Sequence, residues 1–351
     1  MVDAQAGSAK ADPMAVWVAG GVLAEAFEEQ VACMRAVYAI AGDVVRTPTG
    51  APPEYVVRLG EIPTPFYSVR KNIFSTLFYA TYLALGIPRP RRQLFGALNH
   101  LFRIWVTSAD NLLDGEDKCV LPLVMPGTSR IMREVVALLA ADRVLWHLLD
   151  DAVAAGTLTT CQAGLLADES LRCLLPSAAQ EASEESGIRS RPPPAQVIET
   201  IHVFKTGLLF NIPFMGVDLV EQDVDPARLA RMKRALRLFG GGCQILDDLR
   251  DIARDFVEAR HNYMLSVLAQ EPHAILARWA QRDIQVTDRL YFEVLPQSLA
   301  AAHLALRQIA EACMILREEH VLVPDVSAKR MTASLLTVLD LEDLADACAF
   351  A

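Results

Sequence analysis

Apolar residues recur at helical spacing through almost the whole of this 351-residue chain, while the alternation that marks a half-buried strand is nearly absent. Such a pattern has to be buried helix against helix, so an all-α fold follows. The periodicity predicts helices over 14–45, 67–85, 90–113, 129–155, 157–175, 194–220, 226–255, 262–269, 274–295, 298–320 and 326–348. Prolines open or interrupt them at Pro52-Pro53, Pro63, Pro65, Pro88, Pro90 and Pro192-Pro193-Pro194. The polar stretch 177–191 reads as a mobile loop, either a solvated connection or a lid. Residues 1–13 are small and polar and read as a disordered tail, leaving 14–351 as one all-α domain.

An apolar content of 52% and a mean hydropathy of +0.25 suit helices buried on several faces around an apolar cavity. No uninterrupted apolar run reaches the roughly 18 residues of a membrane span, which argues against stable membrane insertion. A net charge of −10 argues against a nucleic-acid surface. The seven scattered cysteines never form a C-x-x-C pair, a pattern of reduced thiols in a cytoplasm rather than of a zinc site.

Two acidic runs end long apolar helical segments: Asp110-Asn111-Leu112-Leu113-Asp114 and Asp247-Asp248-Leu249-Arg250-Asp251, continued to Asp255. At about 100° per residue, Asp110 and Asp114 share one helix face. Gln244, Asp247, Asp248, Asp251 and Asp255 fall in one sector of the other helix. Carboxylates at the edge of apolar surroundings are costly unless a cation meets them. Magnesium takes oxygen ligands, typically a few carboxylates together with substrate phosphates. Either run alone is also compatible with an ordinary solvated helix end. Both are expected to sit on a cavity rim, where their side chains contribute little to core packing. On the first helix Phe102 and Val106 share the phase of Asp110, although Phe102 also fits a core position. Trp105 is about 140° away and reads as packing, and Arg103 points inward. Gly240-Gly241-Gly242 makes room either for substrate or for a crossing helix. Gly207 and Pro213 predict a bend beside Lys205.

Taken in order, the Asp110–Asp114 element, Lys205-Thr206-Gly207-Leu208-Leu209-Phe210 and Gln244-Ile245-Leu246-Asp247-Asp248-Leu249-Arg250-Asp251 resemble the motifs of the trans-prenyl diphosphate synthase and class I terpene cyclase superfamily. The resemblance covers residues 67–263. It implies a helical bundle around a deep apolar cavity, with the two aspartate-bearing helices facing each other. It also implies three magnesium ions held by Asp110, Asp114, Asp247, Asp248, Asp251 and Asp255. The substrate would be a prenyl diphosphate, its diphosphate met by Lys205, Gln244 and Arg260, with Arg70 or Lys71 adding charge from the earlier helix. A homodimer is implied as well.

The chain departs from the family pattern in lacking the G-G-K-R-x-R-P string and the Arg-Arg pair after the first motif. Chain elongation needs cations for a second diphosphate, so these absences predict a one-substrate cyclase. Its substrate would be a linear diphosphate of twenty carbons or more, given the room left at Val106 and Gly240 to Gly242. Two alternatives remain: a prenyl diphosphate synthase condensing two diphosphates, or a non-catalytic helical subunit, suggested by Asn111 in the first motif.

Overall fold

The computed structural model describes residues 17–18, 21–271, 275–322 and 334–344. The expected tail at 1–13 and most of the expected helix at 326–348 lie outside them, and within the latter 334–338 are helical.

Helices α1 (Gly21–Val44), α2 (Val69–Ala84), α3 (Arg89–Leu113) and α4 (Arg130–Ala154) pack against one another in the first half of the chain. Their starts are written in the sequence: Ser68 and Ser129 each accept a backbone amide three residues on, and Pro90 occupies the first turn of α3, where a missing N–H is harmless. A two-residue antiparallel ladder, Arg58–Leu59 with Leu123–Val124, clips the connections before α2 and after α3. Thr159 and Gln162 form a capping box that opens α5 (Thr160–Arg172).

Four expectations are corrected. The stretch read as a loop at 177–191 is helical in its first half, because α6 runs from Leu175 to Glu184. Its polar composition hid a buried carboxylate, Glu184, that anchors the helix. The expected helix 194–220 is two segments: α7 (Pro194–Gly207), largely wound in wide i→i+5 turns, and α8 (Met215–Val220), with a 55° bend between Pro194–Gly207 and Ile212–Val220. Leu208 N bonds Val203 O at 2.9 Å in one of those wide turns, and Pro213 cannot continue the ladder. The expected helix 226–255 breaks at Asp251 (φ −93°, ψ 12°) into α9 (Pro226–Arg250) and α10 (Ile252–Val257). Of the expected helix 274–295, within 275–294 only α12 (Ile275–Trp279) and a short turn at Leu290–Phe292 are helical; the polar and β-branched residues between them form turns.

Asn262 caps α11 (Tyr263–Gln270), and α13 (Leu295–Glu318) packs along α9. Among the described residues α13 is the one single helix long and apolar enough to cross a membrane, and one face of it packs along α9. The triple glycine is explained by this crossing. A Cβ on Gly242 would lie 2.6 Å from Ile309 Cγ1 and 2.7 Å from Ala305 O of α13, and one on Gly240 would lie 2.7 Å from the Phe210 ring. The space serves a crossing helix and a packed aromatic rather than a substrate.

Candidate active site

The final turns of α3 and α9 converge. Asp110, Asp114, Asp247, Asp248, Asp251 and Asp255 all border one cleft of about 250 Å³, together with Val106, Lys205, Gln244, Arg254 and Arg260. The two motifs therefore face one cleft, as the resemblance implied. Among the described residues, however, no three acidic, histidine or cysteine side chains are already drawn around a single point. Cations and hydrogen-bond donors hold them apart instead.

Asp114 pairs with Arg260 at 2.9 Å, and Arg250 bridges Asp247 (2.5 Å) and Asp251 (2.7 Å). Asp248 is buried at 4% exposure and accepts from His202 Nε2 (2.9 Å), the Tyr263 amide (2.6 Å) and Gln244 Nε2 (3.0 Å). Burial alone would raise its carboxyl, but His202 and these donors hold it below the usual carboxylate range. Asp110 has the opposite balance. Burial, then the charges of Asp114 and Glu181, push its carboxyl up to about 7. Asp255 is likewise pushed well above its ordinary value by burial and by Asp248, against a 2.8 Å hydrogen bond from Asn262.

On the cationic side, Lys205 Nζ lies 3.2 Å from Glu184 and 3.7 Å from Glu181. Burial works against its charge, yet these carboxylates carry its pKa above the ordinary value. Gln244 borders the cleft as expected and also accepts from the Thr206 hydroxyl. Arg70 and Lys71 do not border it. Arg70 is exposed and reaches Thr337 O and Asp340 on the far segment, and Lys71 lies 4.5 Å above the Phe66 ring, so both cations are engaged elsewhere.

A second, apolar cavity of about 830 Å³ joins the cleft at Val106, Asp110, Leu113, Ser177, Glu181 and Leu209. It extends between α3, α4, α5 and α6. Val106 lines it as expected. Phe102 does not: it is buried in the core, edge-on to Trp105 at 5.5 Å. Trp105, read as packing, lines the cavity, with its Nε1 donating to Leu138 O at 3.3 Å. The cavity reaches from the Asp110 face round toward α4, so the helical wheel alone misplaced Trp105, while the core reading of Phe102 holds.

Sequence reasoning missed His202, Asn262, Glu181, Glu184 and Arg254. Asn262 is fully buried, donates to Asp248 O (2.7 Å) and caps α11, a role signalled by an Asn just before an apolar run. Arg254 pairs with Glu116 across the cleft at 2.7 Å, joining the two motif segments. His202 and the α6 glutamates gave no local signal, since their partners are remote in sequence.

No family model and no curated protein matches this chain. Its fold does match solved structures. A decaprenyl diphosphate synthase from Rhodobacter capsulatus has a TM-score of 0.59 at 17% identity, covering 93% of this chain and 98% of that one. A polyprenyl synthetase from Streptomyces coelicolor A3(2) gives 0.55 at 17% identity, covering 89% and 97%. A heptaprenyl diphosphate synthase from Staphylococcus aureus gives 0.55 at 12% identity, covering 91% and 98%. All three are synthases, and the expectation of a one-substrate cyclase is overturned in favour of its synthase alternative. That expectation rested on missing cationic strings, and cations of this chain stand outside those strings. Lys205, Arg254 and Arg260, which border the cleft, are such cations. The chain thus has the all-α isoprenoid-synthase fold that these prenyl diphosphate synthases share.

Proposed function

We propose that the chain is an enzyme of the trans-prenyl diphosphate synthase kind, extending an allylic prenyl diphosphate by condensation with a second prenyl diphosphate. One observation carries this reading: the carboxylates of both motifs, with Lys205 and Arg260, border a cleft that opens directly into an apolar cavity of about 830 Å³. A charged head and a hydrocarbon tail are thereby accommodated side by side.

The donor set fits magnesium. All its candidate ligands are carboxylate oxygens, and the carboxyls of Asp110 and Asp255 are raised first by burial and then by neighbouring carboxylates, a setting in which a bound cation would be favourable. Asp110, Asp114, Asp247, Asp248, Asp251 and Asp255 would hold the ions, which when bound supply positive charge to a departing diphosphate. Lys205 and Arg260 add charge that needs no metal, and the residues that pin them, Glu184 and Asp114, keep them aimed at the cleft. Trp105, Val106, Leu145 and Leu209 give the tail an apolar wall from which water is excluded while the allylic carbon is electron-deficient.

The test is incubation with allylic diphosphates of ten to twenty carbons, with magnesium, in the presence and absence of isopentenyl diphosphate. Longer prenyl diphosphates should form only when both substrates are present. Unchanged substrate in the complete mixture would refute the proposal.

A further inference from the structure

The C-terminal end of α6 is tied down by Glu184. This side chain is 1% exposed and accepts from Lys205 Nζ (3.2 Å), the His261 amide (2.8 Å) and Gln180 Nε2 (2.8 Å). Glu181 lies one helical turn earlier and is in a different position. It borders both the acidic cleft and the apolar cavity, at their junction, and its side chain is 26% exposed. Its carboxylate stands 3.7 Å from Lys205 Nζ and 3.8 Å from Arg260, too far for the charge-assisted hydrogen bonds of about 2.8 Å that hold such pairs tightly. Among the described residues no donor comes within hydrogen-bonding distance of it. The other carboxylates on Arg260, Asp114 and Glu258, are both at 2.9 Å.

We propose that Glu181 is a built-in competitor for diphosphate: its carboxylate partly neutralises Lys205 and Arg260 in the empty cleft, gives way when phosphate oxygens arrive, and so sets the affinity for substrate. This inference rests on the diphosphate reading of the cleft. The physical basis is that an anion bound to those two cations also lies beside the charge of Glu181, at a distance where screening by water is incomplete. Because Glu181 is held by charge alone, displacing it breaks no hydrogen bond. Displacing Glu184 would break three and strand a buried carboxylate.

The experiment is calorimetric titration of the full chain with inorganic pyrophosphate, in chelator and in magnesium, for the wild type, Glu181→Gln and Glu181→Ser. Both variants should bind pyrophosphate about tenfold more tightly without metal, equivalent to about 1.4 kcal/mol. With magnesium the gain should persist, and KM for an allylic diphosphate should fall without a matching rise in kcat. Unchanged affinity, or weaker binding in magnesium as expected of a lost metal ligand, would overturn the inference. A wild type and variants that all ignore pyrophosphate would overturn the diphosphate reading itself.

Discussion

Replacing Asp248 by alanine is expected to cost the protein stability as well as activity, against the view that motif carboxylates are dispensable rim residues. Its side chain is buried and collects three donors from three places: His202 on α7, Gln244 on its own helix and the backbone amide that opens α11. His202 is itself only 4% exposed, and its Nδ1 has no hydrogen-bond partner among the described residues. Truncation therefore strands a buried imidazole and a buried amide together. An unsatisfied buried donor costs about 1–3 kcal/mol, and with two of them stranded a loss of about 3–4 kcal/mol is expected. Urea unfolding followed by far-ultraviolet circular dichroism measures it, as a lower midpoint at unchanged slope. Asp248→Asn, which keeps an acceptor for the Tyr263 amide, should lose about half as much. Asp110→Ala is the contrast: with no side-chain hydrogen bond among the described residues and a carboxyl raised by burial, its removal should cost less than about 1 kcal/mol. A loss below about 1 kcal/mol in Asp248→Ala would refute the claim that this network ties α7, α9 and α11 together.

Acid sensitivity should trace in part to His100, which is fully buried beside Tyr38 and pushed down to about 3 by burial and by the charge of Arg103. The unfolded chain takes up this proton near its ordinary value of 6.5 while the native state does not, so stability falls as pH falls below 6.5. Between about pH 6.5 and about pH 4.5 the loss is about 2 kcal/mol, and denaturant midpoints of His100→Phe across that range should show a correspondingly shallower decline. Equal acid sensitivity in the variant would count against this assignment. Gly242→Ala should destabilise by roughly 1–3 kcal/mol even after the helix-propensity gain, since the Ala305 carbonyl cannot yield. Gly241→Ala, whose Cβ meets only the movable end of Gln308 at 3.0 Å, should be neutral or stabilising, and the same melting experiment separates the two.

Much of the helical framework was legible because α-helical burial is a local property. The ends of α3, α4 and α9 are marked by Pro90, Ser129 and Pro226, and the expected starts fall within a residue or so of the observed ones. The shared face of Asp110 and Asp114 needed only the helical repeat. The bend beside Lys205 was readable from Gly207 and Pro213 for the same reason. Composition misled where a single remote contact decided the outcome. Residues 177–184 look like a solvated loop, yet one buried ion pair from Glu184 to Lys205 holds them as the end of α6. Likewise, the absence of cationic strings pointed to a cyclase, although charge in three dimensions does not have to be contiguous along the chain.

What the sequence alone determined is most of the long helices, the acidic stripe on each of two of them, and the apolar character of what they enclose, because all three depend on residues within a few turns of one another. Tertiary packing decided which wall of α3 faces the cavity, so that Trp105 lines it and Phe102 does not. It decided also which carboxylates are held by donors, as Asp248 is, and which are buried without one, as Asp110 is among the described residues. Asp248 meets His202 only because α7 is laid against α9, a contact 46 residues apart along the chain. Such a pairing depends on how rigid helices stack, and no periodicity within either helix encodes it.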